Sequence, residues 1–339
     1  MITILGGGVA GAALARALAR RGRKDVVAFD PRPLGSGSTA KAFGGFRTQQ
    51  GSPLNIALSL ASRPFFDAHA DRIGFRPVGY LYLAETSEAV AELERRAEFQ
   101  CREGLPIEHP EARSLFPELE VGDVLATNYC RLDGVYLPLR ILECLVEEAR
   151  TVGAEVRYES APGPSDLEAE TVVVCAGIWS REAGESLGVR LDVSPLERGV
   201  FQVGPFDWLR PDTPVTLDAG SGYHLRVRDG RLLVIGPGDP HAWDHHREWL
   251  ARRLPPAAVA EPEAHWTGYY EVTFDHHPLV GRTERPGVWA MCGFSGHGVM
   301  HSPATADCLA AMILGDTPPF DLSALSPLRT EALVDPTQL

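Results

Sequence analysis

The strongest constraint on this chain is the glycine pattern within its first eleven residues. A β-branched run over Ile2–Leu5 predicts a short strand. Gly6, Gly8 and Gly11 follow directly, with the spacing Gly-x-Gly-x-x-Gly. In that pattern one glycine permits a tight turn, one lets the backbone approach a pyrophosphate, and one lets helix and strand pack closely. The pattern therefore predicts a strand that turns into a helix at a phosphate-binding loop.

The next residues complete a βαβ unit of about 30 residues. Ala12–Arg21 consists mostly of residues that form helices readily, and Gly22 is suited to end that helix. Val26–Phe29 predicts a second strand, and Asp30 follows it, nineteen residues after Gly11. An acid at this position accepts hydrogen bonds from an adenosine ribose, whereas an arginine would suit a 2′-phosphorylated cofactor. The segment therefore has the fingerprint of a dinucleotide site.

The pattern of helices and strands indicates two interleaved domains in the 339-residue chain. Helix and strand alternate again near residues 135–180 and 288–315, and Val172–Ala176 reads as a strand covered on both faces. In the last of these stretches, Ser302 is suited to cap a helix that has Pro303 in its first turn. The fold class is therefore α/β, a Rossmann-like domain interleaved with an antiparallel-sheet domain. We assign residues 1–63, 130–190 and 285–330 to the first domain, and residues 64–129 and 191–284 to the second.

Net charge and cysteine content exclude several classes of partner. The chain carries 45 acidic and 32 basic residues, a net charge of −13, so it repels phosphate backbones and anionic lipid. We therefore predict no nucleic-acid partner. No apolar run reaches about 18 residues, so we predict no membrane span. The six cysteines form no Cys-x-x-Cys pair, and the apolar N-terminus lacks the basic residues of an export signal; both patterns favour the cytoplasm.

Metal and hydrolase chemistry lack their usual patterns. His241, His245 and His246 lie close in sequence, but no third ligand follows at the spacing of a zinc site. We therefore predict no metal. A serine-hydrolase site is disfavoured because no Gly-x-Ser-x-Gly turn follows a strand.

Two later segments indicate which dinucleotide the chain binds. Thr171–Ser180 and Cys292–Gly298 each place glycines directly after an apolar strand. Together with the N-terminal glycines they offer three contact segments. A flavin dinucleotide lying extended across a domain boundary needs that many, whereas a nicotinamide enzyme usually completes its cofactor site within one contiguous domain. The arrangement therefore favours FAD.

With these segments, the loop Gly37–Arg47, the turn Asp275–Gly281 and the segment Gly293–Met300 carry a family resemblance. The chain resembles the amino-acid-oxidase-like FAD enzymes, the family of glycine oxidase, sarcosine oxidase and dimethylglycine dehydrogenase. The resemblance spans nearly the whole chain and implies a FAD-binding domain of the glutathione-reductase type. It also implies an enzyme that oxidises a small amine or amino acid (glycine, an N-substituted glycine or a D-amino acid). In such enzymes a hydride passes to flavin N5 and the resulting imine hydrolyses.

The resemblance implies non-covalent FAD. Gly268 stands where sarcosine oxidase has the cysteine that bonds to the flavin, and Ser38–Lys41 holds no counterpart of the histidine of dimethylglycine dehydrogenase. The predicted cofactor contacts come from the glycine segments and their neighbours. They are Gly6, Gly8, Val9, Ala10, Gly11, Asp30, Pro31, Arg32, Ser38, Thr39, Ala40, Lys41, Gly44, Gly45, Ala176, Gly177, Trp179, Gly281, Gly296, His297, Gly298, Val299 and Met300.

Four residues are candidates for the substrate side. Arg47 occupies the spacing at which sarcosine-oxidase-like enzymes keep a carboxylate-binding arginine, and its planar fork suits a carboxylate. Arg226 is a second candidate cation. Tyr223 and Tyr270 are expected to wall the pocket or to hydrogen-bond the substrate.

The residues leave the electron acceptor and the bond that is oxidised open. Met300 and Val234 stand where sarcosine oxidase has lysines. Because these two cations are missing, the acceptor is either oxygen or another electron carrier. Oxidation of a 2-hydroxy acid is a first alternative to amine oxidation. A FAD subunit that relays electrons without its own substrate is a second alternative.

Overall fold

The computed structural model describes residues 1–163 and 170–333, which contain sixteen strands and eleven α-helices. A first, six-stranded sheet has β1 (Ile2–Leu5) near its centre. β1 pairs in parallel with β2 (Val26–Phe29) on one side and with β9 (Thr171–Val174) on the other. β8 (Glu155–Arg157) and β16 (Val288–Cys292) extend the two sides in parallel. The antiparallel strand β15 (Leu279–Arg282) closes the edge beside β16.

The helix that follows β1 is the centre of this part of the core. α1 (Val9–Arg20) is buried from Val9 to Ala19, because its many alanines let neighbours approach closely. It packs between α7 (Pro138–Thr151) and α11 (Gly298–Leu314). α3 (Pro53–Ala68) packs against α11 in turn. Three distant segments of the chain therefore meet around the first helix.

A second sheet of eight strands lies in the remaining sequence. All its neighbouring strands pair antiparallel except β11 and β4, which run parallel. In spatial order its strands are β14 (Ala264–Val272), β10 (Ser194–Val203), β13 (Arg231–Ile235), β12 (His224–Arg228), β11 (Val215–Asp218), β4 (Tyr80–Ala84), β6 (Ala126–Cys130) and β5 (Ile107–Glu108).

Short elements connect the two sheets. β3 (Gly45–Phe46) pairs with β7 (Gly134–Val135) as a separate two-stranded ladder. The remaining helices are α2 (Ser38–Lys41), α4 (Ala70–Ile73), α5 (Ser87–Arg102), α6 (Ala112–Leu115), α8 (Ser180–Ser186), α9 (Trp243–Arg253) and α10 (Pro255–Ala258), with 3₁₀ turns at Gly177–Trp179 and Ser323–Leu325.

The mixed α/β fold with a parallel and an antiparallel sheet confirms the predicted fold class. The domain boundaries stay a prediction, and sheet membership differs from them at one point. β15 lies within residues 191–284, which we assigned to the second domain, yet it pairs with β16 in the first sheet. The reason is local: β15 precedes β16 by a short turn, so the two strands form a hairpin.

The last helix begins earlier than predicted. α11 starts at Gly298 rather than after Ser302, so Pro303 lies inside the helix instead of in its first turn. Proline has no N–H for the carbonyl of Val299, and the Ser302 hydroxyl donates to the Gly298 carbonyl in the same region. The correction places the helix N-terminus directly after the glycine segment that ends β16.

Among the described residues, no helix has both the length and the apolar composition that crossing a bilayer requires.

A buried charge network holds α9 to the second sheet. Arg253 is 1% exposed, and its Nε lies 2.9 Å from Asp218 Oδ1 on β11. The same guanidinium bonds Asp123 and Glu85, and Trp249 Nε1 donates to the other oxygen of Asp218 at 2.6 Å. The network therefore connects one helix, two strand ends and a loop.

Replacing Arg253 with methionine should destabilise the protein strongly, because Asp218 would remain buried without its counter-charge. We expect a loss of about 3–5 kcal/mol in the free energy of unfolding, measured by urea denaturation. Arg247→Met is the matched control on the same helix, since Arg247 has a side chain that is 45% exposed. A loss for Arg253→Met no larger than that of the control would contradict the assignment.

Candidate active site

Two cavities share a wall between the sheets. The glycine-loop cavity, about 970 Å³, is lined by the N-terminus of α1, by residues 37–39 and 41–43, and by residues 175–179 and 268–271. The arginine cavity, about 1680 Å³, is lined by residues 42–45, by Arg47, by residues 49–50, by the ends of β11 and β12, and by residues 295–297 and Met300. Both cavities have a common set of lining residues: Ala42, Phe43, Arg198, Ile235, Tyr270 and Gly296.

The N-terminal glycines bring three backbones into contact. Gly6 has φ of +118°, and a side chain there would overlap the carbonyl of Cys175. A side chain at Gly11 would overlap the carbonyl oxygen of Gly6. At Gly8 the nearest atom to an added Cβ is Thr39 Oγ1 at 3.6 Å, an ordinary contact, and Gly8 lines the glycine-loop cavity. Gly6 and Gly11 therefore allow backbones to pack closely, whereas Gly8 lies where a ligand can approach the backbone.

The start of α1 offers backbone donors to the glycine-loop cavity. Gly8, Val9 and Ala10 line that cavity, and the N-cap residue Gly8 has no side chain to cap the helix. The Val9 N–H is already paired, since it donates to Thr39 Oγ1 at 3.3 Å. Uncapped N–H groups at a helix N-terminus and the helix dipole favour an anion. Asp30 fixes the loop, since its Oδ2 accepts from Gly7 N at 3.1 Å.

A side pocket opens beside Asp30. Gly6, Pro31 and Ala176 line it, together with Asp30. Arg32 and Trp179 also line it, and the Arg32 guanidinium lies 3.4 Å from the centroid of the Trp179 ring. An apolar pocket next to a carboxylate suits a nucleoside, with the acid available to sugar hydroxyls.

Glu271 is a site residue that the sequence analysis missed. It lines the glycine-loop cavity, and its Oε1 accepts from Phe294 N at 3.3 Å. Its Oε2 is buried and has no hydrogen-bond partner among the described residues. Burial raises the pKa of Glu271 to about 7. The strand pattern alone gave no signal for it, because its environment comes from the distant segment 292–296.

Arg47 is the central cation of the arginine cavity. Its guanidinium donates to Tyr82 Oη at 3.0 Å and to Gln50 Oε1 at 3.4 Å. It also lies 3.1 Å from His297 Nε2. Burial lowers the pKa of His297 well below its usual range, so the ring is neutral and this nitrogen accepts from Arg47. Arg47 is therefore oriented by neutral acceptors and keeps its full charge toward the cavity.

A buried carboxylate beneath Arg47 fixes the segment that carries it. Asp133 accepts from the backbone and hydroxyl of Thr48 and from Gln49 Nε2, which lies 2.8 Å away. Burial raises the pKa of Asp133 to about 6, and these hydrogen bonds oppose the rise. Arg47 is thus positioned through its two following residues, and no described carboxylate forms an ion pair with it.

The structure places Arg226 and Tyr223 outside the cavity linings. Arg226 is 2% exposed, and its Nη1 donates to the carbonyls of Phe43, Gly44 and Tyr136. It holds the loop that lines both cavities instead of facing a ligand.

Tyr223 lies on the opposite side of the sheet, with its ring stacked on Trp249 at 5.6 Å between centroids. Successive residues of a strand face opposite sides, so His224 lines the arginine cavity in its place. Of the four predicted substrate-side residues, Arg47 and Tyr270 therefore line this cavity.

Most of the predicted cofactor contacts converge. Gly8, Val9, Ala10, Asp30, Arg32, Ser38, Thr39, Lys41, Ala176, Gly177, Trp179, Gly296, Gly298 and Val299 line the glycine-loop cavity. Gly44, Gly45, His297 and Met300 line the arginine cavity, and Gly6 and Pro31 line the side pocket. Gly11, Ala40 and Gly281 lie outside these linings; Gly11 instead packs on Gly6, and Gly281 lies in β15 near Pro327.

Residues 1–312 match the family model DAO, described as FAD dependent oxidoreductase. The chain belongs to this family. A glycine oxidase of Geobacillus kaustophilus (strain HTA426) is 28% identical, over 97% of this chain and 96% of its own length. Mitochondrial dimethylglycine dehydrogenase of Rattus norvegicus is 27% identical, and the match covers 44% of that protein. This DAO family member thus spans less than half of that relative.

Solved structures agree with this assignment. The crystal structure of the Geobacillus kaustophilus glycine oxidase has a TM-score of 0.86 and 26% identity, covering 98% of this chain and 99% of that chain. L-proline dehydrogenase from P. horikoshii shares the fold, with a TM-score of 0.88 at 22% identity and 96% coverage of both chains. The predicted family, the FAD cofactor and the oxidoreductase class are confirmed.

The glycine-loop cavity of this flavoenzyme fits FAD. Gly8 in the cavity lining and the N-terminus of α1 suit the pyrophosphate, and Asp30 beside the side pocket suits the adenosine. The partnerless Oε2 of Glu271 suits a hydroxyl-bearing chain that passes the same wall. A Cβ added at Gly177 would lie 3.8 Å from that oxygen, so a larger residue there would narrow the passage.

Glu271→Gln should make stability less dependent on pH. The raised pKa means that the folded chain holds this proton more tightly than the unfolded chain, so Glu271 costs stability as pH rises from about 4.5 to about 7. In flavin-free protein, the variant should gain stability relative to wild type between pH 5 and pH 8. Urea unfolding at both pH values measures this gain, with Glu98→Gln on the surface as control. An equal difference at both pH values would contradict it.

Proposed function

We propose that the chain oxidises a small amine that carries a carboxylate, such as an amino acid or an N-substituted glycine. The observation that carries the proposal is Arg47, a half-buried cation without a described ion-pair partner, in a cavity that shares a wall with the FAD site. When bound, FAD supplies the hydride acceptor, and the imine left behind is hydrolysed by water. The names of two relatives, glycine oxidase and dimethylglycine dehydrogenase, describe oxidation of substrates of this class and support the proposal.

The residues of the arginine cavity bind and orient the substrate. Arg47 pairs with a carboxylate through the N–H groups that Tyr82, Gln50 and His297 leave unused, and this charge-assisted contact fixes the position of the substrate. Tyr82, Gln50 and neutral His297 hold the fork in place without competing for its charge. A charged carboxylate in their place would neutralise Arg47 and weaken substrate binding.

The same positive surroundings prepare the amine for oxidation. A nearby positive charge lowers the pKa of a bound ammonium group, so the amine loses its proton more readily. The neutral amine has the lone pair that stabilises the developing imine. Arg47 and Arg198 both line the arginine cavity, and both therefore favour this neutral form.

We also propose that FAD is held without a covalent bond. Gly268 lies at the wall of the glycine-loop cavity beside Lys41, with 3.1 Å between an added Cβ and the Lys41 Cβ, and it offers no nucleophile. We further propose an electron acceptor other than oxygen. Val234 is fully buried between β10 and β12, and Met300 is 4% exposed, so neither position supplies a cation that would assist reaction with oxygen.

Anaerobic titration of the holoenzyme tests the function. Glycine, sarcosine, proline and other amino acids should bleach the visible absorbance of the flavin, whereas matched 2-hydroxy acids should not. If FAD is not covalently bound, acid precipitation of a separate sample should leave the yellow colour in the supernatant. If oxygen is a poor acceptor, air admitted after bleaching should restore the flavin absorbance only slowly.

Other outcomes of this titration favour the alternatives. Bleaching by 2-hydroxy acids alone would replace amine oxidation with hydroxy-acid oxidation. No bleaching by either class, in a protein that still binds FAD, would favour an electron-relay subunit. A yellow pellet would overturn the non-covalent attachment.

Arg47→Gln should weaken substrate binding because it removes the charge-assisted pair. The expected loss is about 1.5–3 kcal/mol, or about 10–150-fold in the dissociation constant from the bleaching titration. Arg47→Lys should recover only part of it, since an ammonium lacks the planar fork. Arg190→Gln is the control, because that side chain is 82% exposed and pairs with Asp192. Equal affinity in Arg47→Gln and the control would remove the assigned role.

A further inference from the structure

We infer that the preferred substrate carries two acidic groups, an amino- or imino-dicarboxylic acid, with Arg47 binding one group and Arg198 the other. The inference rests on the proposed amine oxidation and names the substrate class of that site. Three observations carry it: the charge of the cavity lining, the lack of ion-pair partners for two of its arginines, and the placement of these arginines around Tyr270.

The charge of the arginine cavity is opposite to that of the chain. The chain has a net charge of −13. The charged side chains that line this cavity are nevertheless all arginines, Arg47, Arg96 and Arg198, and no aspartate or glutamate is found among its described lining residues. A positive cavity in a negative protein attracts anions and concentrates the field on them.

Two of the three arginines keep their charge for a ligand. Arg96 is neutralised locally, since its Nε lies 2.7 Å from Glu92 Oε1. Arg47 bonds neutral acceptors, and within the described part of the chain neither Arg47 nor Arg198 forms an ion pair with a carboxylate. Both side chains are half-buried, and a partly desolvated arginine without a counter-charge has a cost that an anionic ligand removes.

Both arginines act electrostatically on Tyr270. The Arg198 guanidinium lies 5.9 Å from the centroid of the Tyr270 ring. The backbone of Gly296 packs on the same ring, with 2.8 Å from an added Cβ to a ring carbon, and its neighbour His297 contacts Arg47. Burial raises the pKa of Tyr270, and the charges of both arginines oppose this rise. The positive charges of Arg47 and Arg198 therefore both act on Tyr270 in the shared wall.

This arrangement distinguishes substrates by the number of carboxylates that they carry. A monocarboxylic substrate neutralises one guanidinium and leaves the other without a counter-charge. A dicarboxylic substrate neutralises both, and its amine lies between the two acidic groups, near the wall that the cavities share. The second ion pair is the source of the preference.

Binding of non-reactive acids to the holoenzyme tests the inference. The flavin absorbance is followed while acetate, propionate, malonate, succinate, glutarate or adipate is added, and dissociation constants are compared at fixed ionic strength. The tightest dicarboxylate should bind at least tenfold more tightly than the tightest monocarboxylate. In Arg198→Gln this ratio should fall at least fivefold, and in Arg190→Gln it should equal that of wild type. The anaerobic bleaching of the flavin by glycine and sarcosine is then compared with its bleaching by iminodiacetate, aspartate and glutamate.

Three results would overturn the inference. The first is a wild-type ratio near one, and the second is an unchanged ratio in Arg198→Gln. The third is a weaker affinity of Arg198→Gln for FAD together with an unchanged ratio once added FAD has refilled the site, which would assign Arg198 to the cofactor. If one of these results is found and monocarboxylic amines still bleach the flavin, the proposed amine oxidation is kept and only the dicarboxylic preference is rejected. Tight dicarboxylate binding without bleaching by any amine would remove the oxidation and keep the two-arginine site.

Discussion

The close approach of three backbones at the N-terminal glycines is the constraint on which the rest of the structure depends. Gly11 packs on the carbonyl of Gly6, and Gly6 packs on the carbonyl of Cys175. These contacts set the position of α1 against β1 and β9, and α1 in turn packs between α7 and α11. A side chain at Gly6 would separate segments that are more than 160 residues apart in sequence, and one at Gly11 would separate α1 from the turn that precedes it. The FAD site is therefore a product of the same packing that forms the core.

A second level of organisation brings the substrate side to this cofactor site. Arg226 holds the loop 43–44 from within the second sheet, and Asp133 holds Thr48 and Gln49 from the turn before β7. Both are buried polar groups whose hydrogen bonds are made to the loop and not to a ligand. They position Arg47 and the shared wall, and their own burial keeps them out of contact with a substrate.

The local part of this structure could be predicted from the sequence. The strand–glycine–helix unit and Asp30 were recognisable because their signals lie within 30 consecutive residues. Arg47 was recognisable through the spacing of a family loop. Tyr223 was placed on the wrong face of its strand, since strand residues alternate between two faces. Arg226 shares the face of His224, but its guanidinium bonds backbone carbonyls of the loop instead of a ligand.

Non-local environments explain what could not be predicted. Glu271 becomes a site residue because the segment 292–296 and the 175–177 turn bury it. Arg198 gains its importance because no described carboxylate forms an ion pair with it and because it lines both cavities, which are properties of the assembled structure. The start of α11 was misplaced since the proline signal at residue 303 outweighed the glycine segment before it.

The shared wall limits how an enzyme of this shape can change its preferences. Phe43, Ile235 and Tyr270 face both cavities, so replacing any of them alters the coenzyme's surroundings together with those of the reactant. Leu217, Ala219 and Pro237 line the arginine cavity alone. Divergence toward new reactants is least disruptive at these outer positions, where size and polarity can vary while the redox centre stays the same.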